Sequence, residues 1–396
     1  FLMTRRPPRS TPSNSSAASD VYKRQTYWTA QRDRQGAWGG FFWYDGLLII
    51  SNSPKQIQRT IALINNESSA LKSIGDDKLF FQVLDACEFT GEKEQAAVIL
   101  NTELLRNDPY YNRYYQGVPS ERQTFKRVAF SFKFQDNIAE IIRASYPDNP
   151  ELEIENKTLG EFLDYTPKNA FLYNEFAVSK FYSVETMLPF GELFSLQEND
   201  NPSLISAGCS WFPLDYEDSD ITLILPIIFL KMDNPTHWIE PAKVHIADMA
   251  TDTILKDYTS VWKTDGKVNF LCDMLGTELG FAYRIDGSVV LISSCSDALL
   301  KSKLGSPKII KEHLQESEGI SCNVIIPDKM ASNVSKHLRI LSEWDMIQSY
   351  SAEQFLKDFI LPIGKDVLTN IELIRQVECF DENRKMFITK MSVKLK

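Results

Sequence analysis

Apolar runs and alternations along the chain mark out its elements before any composition is considered. Leu47, Leu48, Ile49 and Ile50 form a continuous apolar run, the pattern of a strand covered on both faces. Asp45-Gly46 stands between that run and the preceding Phe41-Phe42-Trp43-Tyr44, and Asp-Gly between apolar segments predicts a tight hairpin. Ser53-Pro54 then supplies a helix cap and a first helical residue, and Ile57, Ile61 and Ile64 recur at helical spacing behind it. The stretch returns later in the chain. Asp286-Gly287 is the second turn, Val289 to Ile292 the second buried strand, and Ser296 the expected cap of a helix carrying Leu299 and Leu300.

Other segments repeat the same order. In the first half come a helix with Leu79, Phe80, Val83 and Leu84 on one face, a strand at Ala96 to Leu100, and a short helix capped by Asn101. Val128, Phe130, Phe132 and Phe134 alternate with Ala129, Ser131 and Lys133, which predicts a strand with the aromatic side facing inward. In the second half come Leu204 to Phe212 and Ile221 to Met232 as strands and Asn234 to Met249 as a helix. After the second hairpin come a helix at Pro307 to Gln315 and a strand at Cys322 to Ile326. A helix capped by Asp328 follows, then a closing ribbon at Ile371 to Phe380 and Lys385 to Lys396. The expected fold class is α+β: two repeated units of antiparallel sheet with helices packed on one face. Pro147-Asp-Asn-Pro150 and the charged run behind it read as a linker over 147–165. That gives a first repeat at 26–146 and a second, complete one at 166–396. Only residues 26 to 45 precede the first hairpin, so the first unit is expected to be truncated at its N-terminus, a fragment.

Residues 1–25 are basic and Ser-rich, with neither the apolar centre of a secretory signal nor an amphipathic pattern. They resemble translated sequencing-adapter read-through of metagenomic data and are set aside as an artefactual tail. The net charge of −10 becomes more negative without them, which argues against a nucleic-acid or anionic-membrane partner. No apolar run approaches the ~18 residues of a transmembrane helix, so no membrane span is expected within the fragment. The six cysteines have no CxxC spacing, which argues against a zinc site or a disulfide framework.

Candidate chemistry is sparse. His237 and His245, with Glu240 and Asp248 nearby, are eight apart, and on a helix their rings do not stack as an i, i+4 metal pair does. Ser69-Ala-Leu-Lys72 matches the Ser-x-x-Lys pattern of penicillin-recognising enzymes but lacks its Ser-Asp-Asn and Lys-Thr-Gly companions. Tyr110, Tyr111, Tyr114 and Tyr115 beside Arg113 could form a sugar- or peptide-contacting surface or cover a sheet from a helix. No nucleotide, nucleophile-elbow or metalloprotease motif is present. No catalytic, cofactor-binding or metal-ligating residue is assigned, and no cofactor is expected.

The run Asp45 to Arg59, then Asp76-Asp77-Lys78-Leu79-Phe80 before a helix, resembles a bacterial family of unknown function, domain-of-unknown-function family 3352. Tyr165-Thr-Pro-Lys-Asn-Ala-Phe-Leu172 is similar to the strand that opens such units. The resemblance implies an envelope-associated protein, periplasmic or anchored through an N-terminal segment, with α+β repeats and no assigned catalytic residues. The expected function is therefore a non-enzymatic binding or scaffolding surface for another envelope protein or polymer. The alternative is a hydrolase of envelope polymers using carboxylates or Ser69 and Lys72.

Overall fold

The computed structural model describes residues 27–31, 38–44, 47–51, 54–65, 77–91, 95–102, 125–149, 151, 154–179, 184–189, 204–215, 222–253, 260–273, 275–314, 317–333, 336 and 361–396. Contacts divide the chain into residues 1–81 and 82–396. The fold is mixed helix and strand with a large antiparallel sheet.

In the first unit, β1 (Tyr27–Gln31), β2 (Trp38–Tyr44) and β3 (Leu47–Ser51) form an antiparallel sheet in that order. β2 and β3 pair outward from Tyr44 opposite Leu47, while Asp45, Gly46 and Ser53 lie outside the described residues. Helix α1 (Pro54–Ile64) buries Ile57 and Ile61, one turn apart on one face, and exposes Lys55, Gln56, Gln58 and Arg59. Ile50, expected to be covered, is 72% exposed. Its run carries apolar residues on both faces, but the described part of this small sheet has a helix on one.

Among the described residues, the second unit is built on one thirteen-stranded sheet. Its first edge is a meander of β11 (Val261–Asp265), β12 (Val268–Cys272), β13 (Glu278–Asp286) and β14 (Val289–Ser293). Next come β10 (Thr222–Met232), β9 (Leu204–Asp215), β8 (Leu172–Ala177) and β16 (Ser321–Ile325). Two long hairpins finish it, β17 (Ile371–Asp381) with β18 (Met386–Leu395), then β6 (Ile138–Pro147) with β5 (Phe125–Gln135), and β4 (Gln95–Leu100) is the outer strand. Every described pairing is antiparallel. β14 is buried along its whole length, as its unbroken apolar run predicts.

Each face of the sheet carries its own core. On one, α3 (Pro235–Thr253) sets Trp238, Ile239, Ala242 and Ile246 against Phe176, Leu230, Val290 and Ile292. On the other, α4 (Ser296–Leu300), α5 (Lys308–Leu314) and a 3-10 turn at Leu163–Tyr165 cover Tyr173, Phe229, Val324 and Val377. Phe162 stacks on Phe229 there, ring centroids 5.2 Å apart. Phe162 belongs to the stretch expected to be a linker. Instead β7 (Lys157–Thr158) pairs with β15 (Glu318–Gly319), and Leu159, Phe162 and Leu163 are buried. The polar look of the stretch comes from residues 148–157, ahead of these apolar side chains.

Two local expectations are corrected. β5 forms where predicted, but burial does not follow its aromatic face: Val128 is buried together with the small residues Ala129 and Ser131, and Phe132 and Phe134 are exposed. Small side chains let the end of α2 (Lys78–Ala86) approach closely: Ser131 Oγ donates to the Cys87 carbonyl at 2.6 Å. Ser296 does not cap α4 but is its first residue; its hydroxyl and backbone N–H both donate to the Glu278 carboxylate, which serves the helix start from across the meander. Asn101 accepts from the Arg127 guanidinium at 2.7 Å, and the helical amides it is expected to cap lie outside the described residues. Asp77, in the family-like segment, does cap α2, accepting the N–H groups of Leu79 and Phe80. Among the described residues no helix is long and apolar enough to cross a membrane.

Candidate functional site

In β8, Tyr173 and Glu175 are two residues apart and therefore on one sheet face. They point at the turn that follows β7. Glu175 accepts the backbone N–H of Gly160 at 2.7 Å and that of Glu161 at 3.4 Å. The Tyr173 hydroxyl donates to Glu175 Oε2 at 2.5 Å and accepts the N–H of Phe162 at 3.3 Å. Three consecutive amides are thus held by two side chains. Gly160 makes the turn possible: its φ is +94°, and a Cβ there would lie 2.8 Å from Leu163 Cδ1.

Around this clamp is a cleft of about 390 Å³, with Lys157, Glu161, Glu175, Ser206, Lys231 and Gly319 in its lining. Glu161 pairs with the Lys231 ammonium and accepts the Ser206 hydroxyl at 2.6 Å. Ser206 and Lys231 are cross-strand partners on β9 and β10, so the sheet register itself sets this triad.

Burial holds the Glu175 carboxyl above its ordinary value, opposed by the hydrogen bonds from Tyr173, Gly160 and Glu161. Burial likewise pushes the Tyr173 phenol well up, with the neighbouring Glu175 charge adding to it. The Cys322 thiol is pushed well up by burial and by Glu175, which removes it as a nucleophile at neutral pH. Every carboxylate oxygen at the cleft already has a donor: Tyr173, Gly160 and Glu161 for Glu175, and Lys231 and Ser206 for Glu161. Ser206 itself is only 3% exposed. The arrangement fastens a turn to a sheet and leaves a walled cleft with a charged rim. It offers no accessible nucleophile paired with a free base.

The sequence candidates are not brought together here. His237 is exposed on α3, where its N–H donates to Asn234, and His245 is half-buried further along the same helix. Glu240 pairs with Lys243, and no cluster of three or more metal-ligating side chains occurs among the described residues. His313 Nδ1 contacts the Ile309 carbonyl within α5. Ser69, Lys72, Tyr110, Tyr111, Arg113, Tyr114, Tyr115 and His337 lie outside the described residues. The six cysteines are free thiols. Sequence reasoning missed Glu175, Tyr173, Glu161 and Lys231. The available signal was a carboxylate in the middle of an otherwise buried strand, two residues after a tyrosine.

No protein-family model matches the chain, and no curated protein or solved structure matches it.

Proposed function

We propose that the chain is a non-enzymatic, envelope-associated protein whose two α+β repeats, 26–146 and 166–396, form a binding or scaffolding surface. Matching strand registers carry this reading. β2 and β3 pair outward from Tyr44–Leu47, and β13 and β14 from Asp286–Val289. Two residues back, Phe42 faces Tyr27 of β1 and Arg284 faces Val268 of β12. Among the described residues two helices follow each hairpin, α1 and α2 in one case and α4 and α5 in the other. β4 then lies beside β5 as β16 lies beside β17: Ala97 faces Ser131 and Cys322 faces Val377, each four residues before its hairpin's closing pair. The two ribbons adjoin through β18 and β6, where Lys390 faces Ile142 and each is the fifth residue of its strand. Repeats joined in this way give a broad sheet surface, suited to a polymer or protein partner. The envelope location rests on the resemblance of Asp45–Arg59 and Asp76–Phe80 to the family of unknown function.

A hydrolase of envelope polymers is the second reading, favoured by Glu161 and Glu175 at one cleft. Against it stands the commitment of both carboxylates to internal donors. The test is a turnover screen of the purified chain against envelope polymers, alongside Glu161→Gln and Glu175→Gln. The expected result is binding without turnover; turnover lost in either variant overturns the non-enzymatic reading.

A further inference from the structure

We propose that the cleft beside the Gly160 turn is a binding site for a small aliphatic carboxylate, with the acid group at Lys157 and the alkyl body against Leu159, Ala177 and Ile205. The cleft, about 390 Å³, is within the roughly 300–1,000 Å³ typical of small-molecule sites. Its lining residues all lie from Lys157 to Gly319, so the site does not depend on the two-repeat reading, and either can fail without the other.

The backbone is shaped for a wall at this place. Neighbours on a strand point to opposite faces, yet Ile205 and Ser206 both line the cleft. Ser206 pairs with Lys231 and Leu204 with Met232, which leaves Ile205 as the unpaired residue of a bulge, and a bulge re-aims a side chain in this way. Leu159, Ala177, Gly160 and Gly319 complete an apolar floor. No aromatic side chain lines the cleft among the described residues, so a sugar ring or a base finds no stacking face.

Charge selects the ligand. Glu161 is committed to Lys231 and Ser206. Lys157 also lines the cleft, and it has no ion-pair partner among the described residues. Burial favours the neutral form of Glu175. The cleft therefore carries one uncompensated cation in a chain of net charge −10. A carboxylate brings the one matching charge. A phosphomonoester brings nearly two, and the amides that would hold its oxygens, those of Gly160 and Glu161, are already given to Glu175. The same commitment removes capture of a peptide C-terminus by backbone amides.

The probe is hexanoate, titrated into the full chain carrying isotope-labelled Ile and Leu methyl groups and followed by NMR. The expected result is a saturable shift of the Leu159 and Ile205 methyls with a Kd of about 1 mM. Hexanol, which lacks the charge, binds about tenfold more weakly or worse, and Lys157→Gln weakens hexanoate by about the same factor. Lys157→Arg keeps the cation and binds within a few-fold of wild type, and methyl signals away from the cleft stay in place in both variants. Absence of a saturable shift at Leu159 and Ile205 overturns the proposal. So does hexanol binding as tightly as hexanoate, or an unchanged affinity in Lys157→Gln. Hexyl phosphate binding more tightly than hexanoate overturns the choice of a carboxylate.

Discussion

Phe134 and Phe380 occupy the same position in two long hairpins, one residue pair before the closing pair, yet Phe380 is 2% exposed and Phe134 is 55% exposed. Phe380 packs with Phe387 at a ring-centroid distance of 5.1 Å and lies in a small cluster with Ile320, Phe125 and Ile154. Asn156 bonds both the N–H and the carbonyl of Phe380, at 2.9 and 2.8 Å. Among the described residues, the segment leading into β8 covers one hairpin and has no counterpart on the other.

That difference sets a stability contrast. Phe380→Ala removes a fully packed ring and costs about 3–5 kcal/mol. Phe134→Ala stays within roughly 0.5 kcal/mol, as surface substitutions do. Urea unfolding of both variants checks it, and equal losses contradict the unequal covering of the two ribbons.

The Gly160 turn is tested by Gly160→Ala. Its φ of +94° and the 2.8 Å approach to Leu163 leave no unstrained place for a methyl group. The expected loss is about 1–3 kcal/mol, measured by the denaturation midpoint. Gly208 is the parallel case: a Cβ there would stand 2.3 Å from the Asn174 carbonyl oxygen, so Gly208→Ala also destabilises.

Glu175 gives a pH dependence of defined sign. Its folded-state pKa is raised above the ordinary value of 4.5, so the folded chain holds the proton more tightly than the unfolded chain. The stability that this contributes is fully present below the ordinary value and is lost as pH rises through the raised one. Unfolding midpoints of wild type minus Glu175→Gln, taken across that window, fall with rising pH. A flat or rising difference contradicts the buried, proton-holding carboxyl.

Thiol reactivity follows burial. Burial raises Cys87 to about 11 and Cys209 to about 12, and pushes Cys322 well up, whereas Cys295 is half-buried. Native labelling at pH 8 therefore modifies Cys295 well before Cys87, Cys209 or Cys322, read by mass spectrometry of the digested chain.

Much of the fold was legible because strand and helix periods differ so clearly. β10, β14, β16 and the two strands of the closing ribbon lie within a few residues of where their apolar patterns place them. Which face of a strand is buried was less legible. The aromatic side of β5 looked like the inner one, yet a helix end at hydrogen-bond distance needs Ala129 and Ser131 beneath it. Capping failed as a local rule at Ser296 because the competing acceptor, Glu278, comes from another strand. The clamp was hidden for the same reason: Glu175 meets Gly160 and Glu161 only after β8 and the turn beyond β7 are brought together.

The pairing of β6 with β18, on which the proposed two-repeat scaffold rests, is tested most directly by disulfide trapping. Ile142 and Lys390 face one another across these strands, so Ile142→Cys with Lys390→Cys crosslinks under mild oxidation. Ile141→Cys with Lys390→Cys does not, because Ile141 is opposite Met391 and points to the other face. A crosslink in the first pair alone is the expected result. A crosslink in the second pair, or in neither, contradicts the register on which the proposed two-repeat scaffold rests.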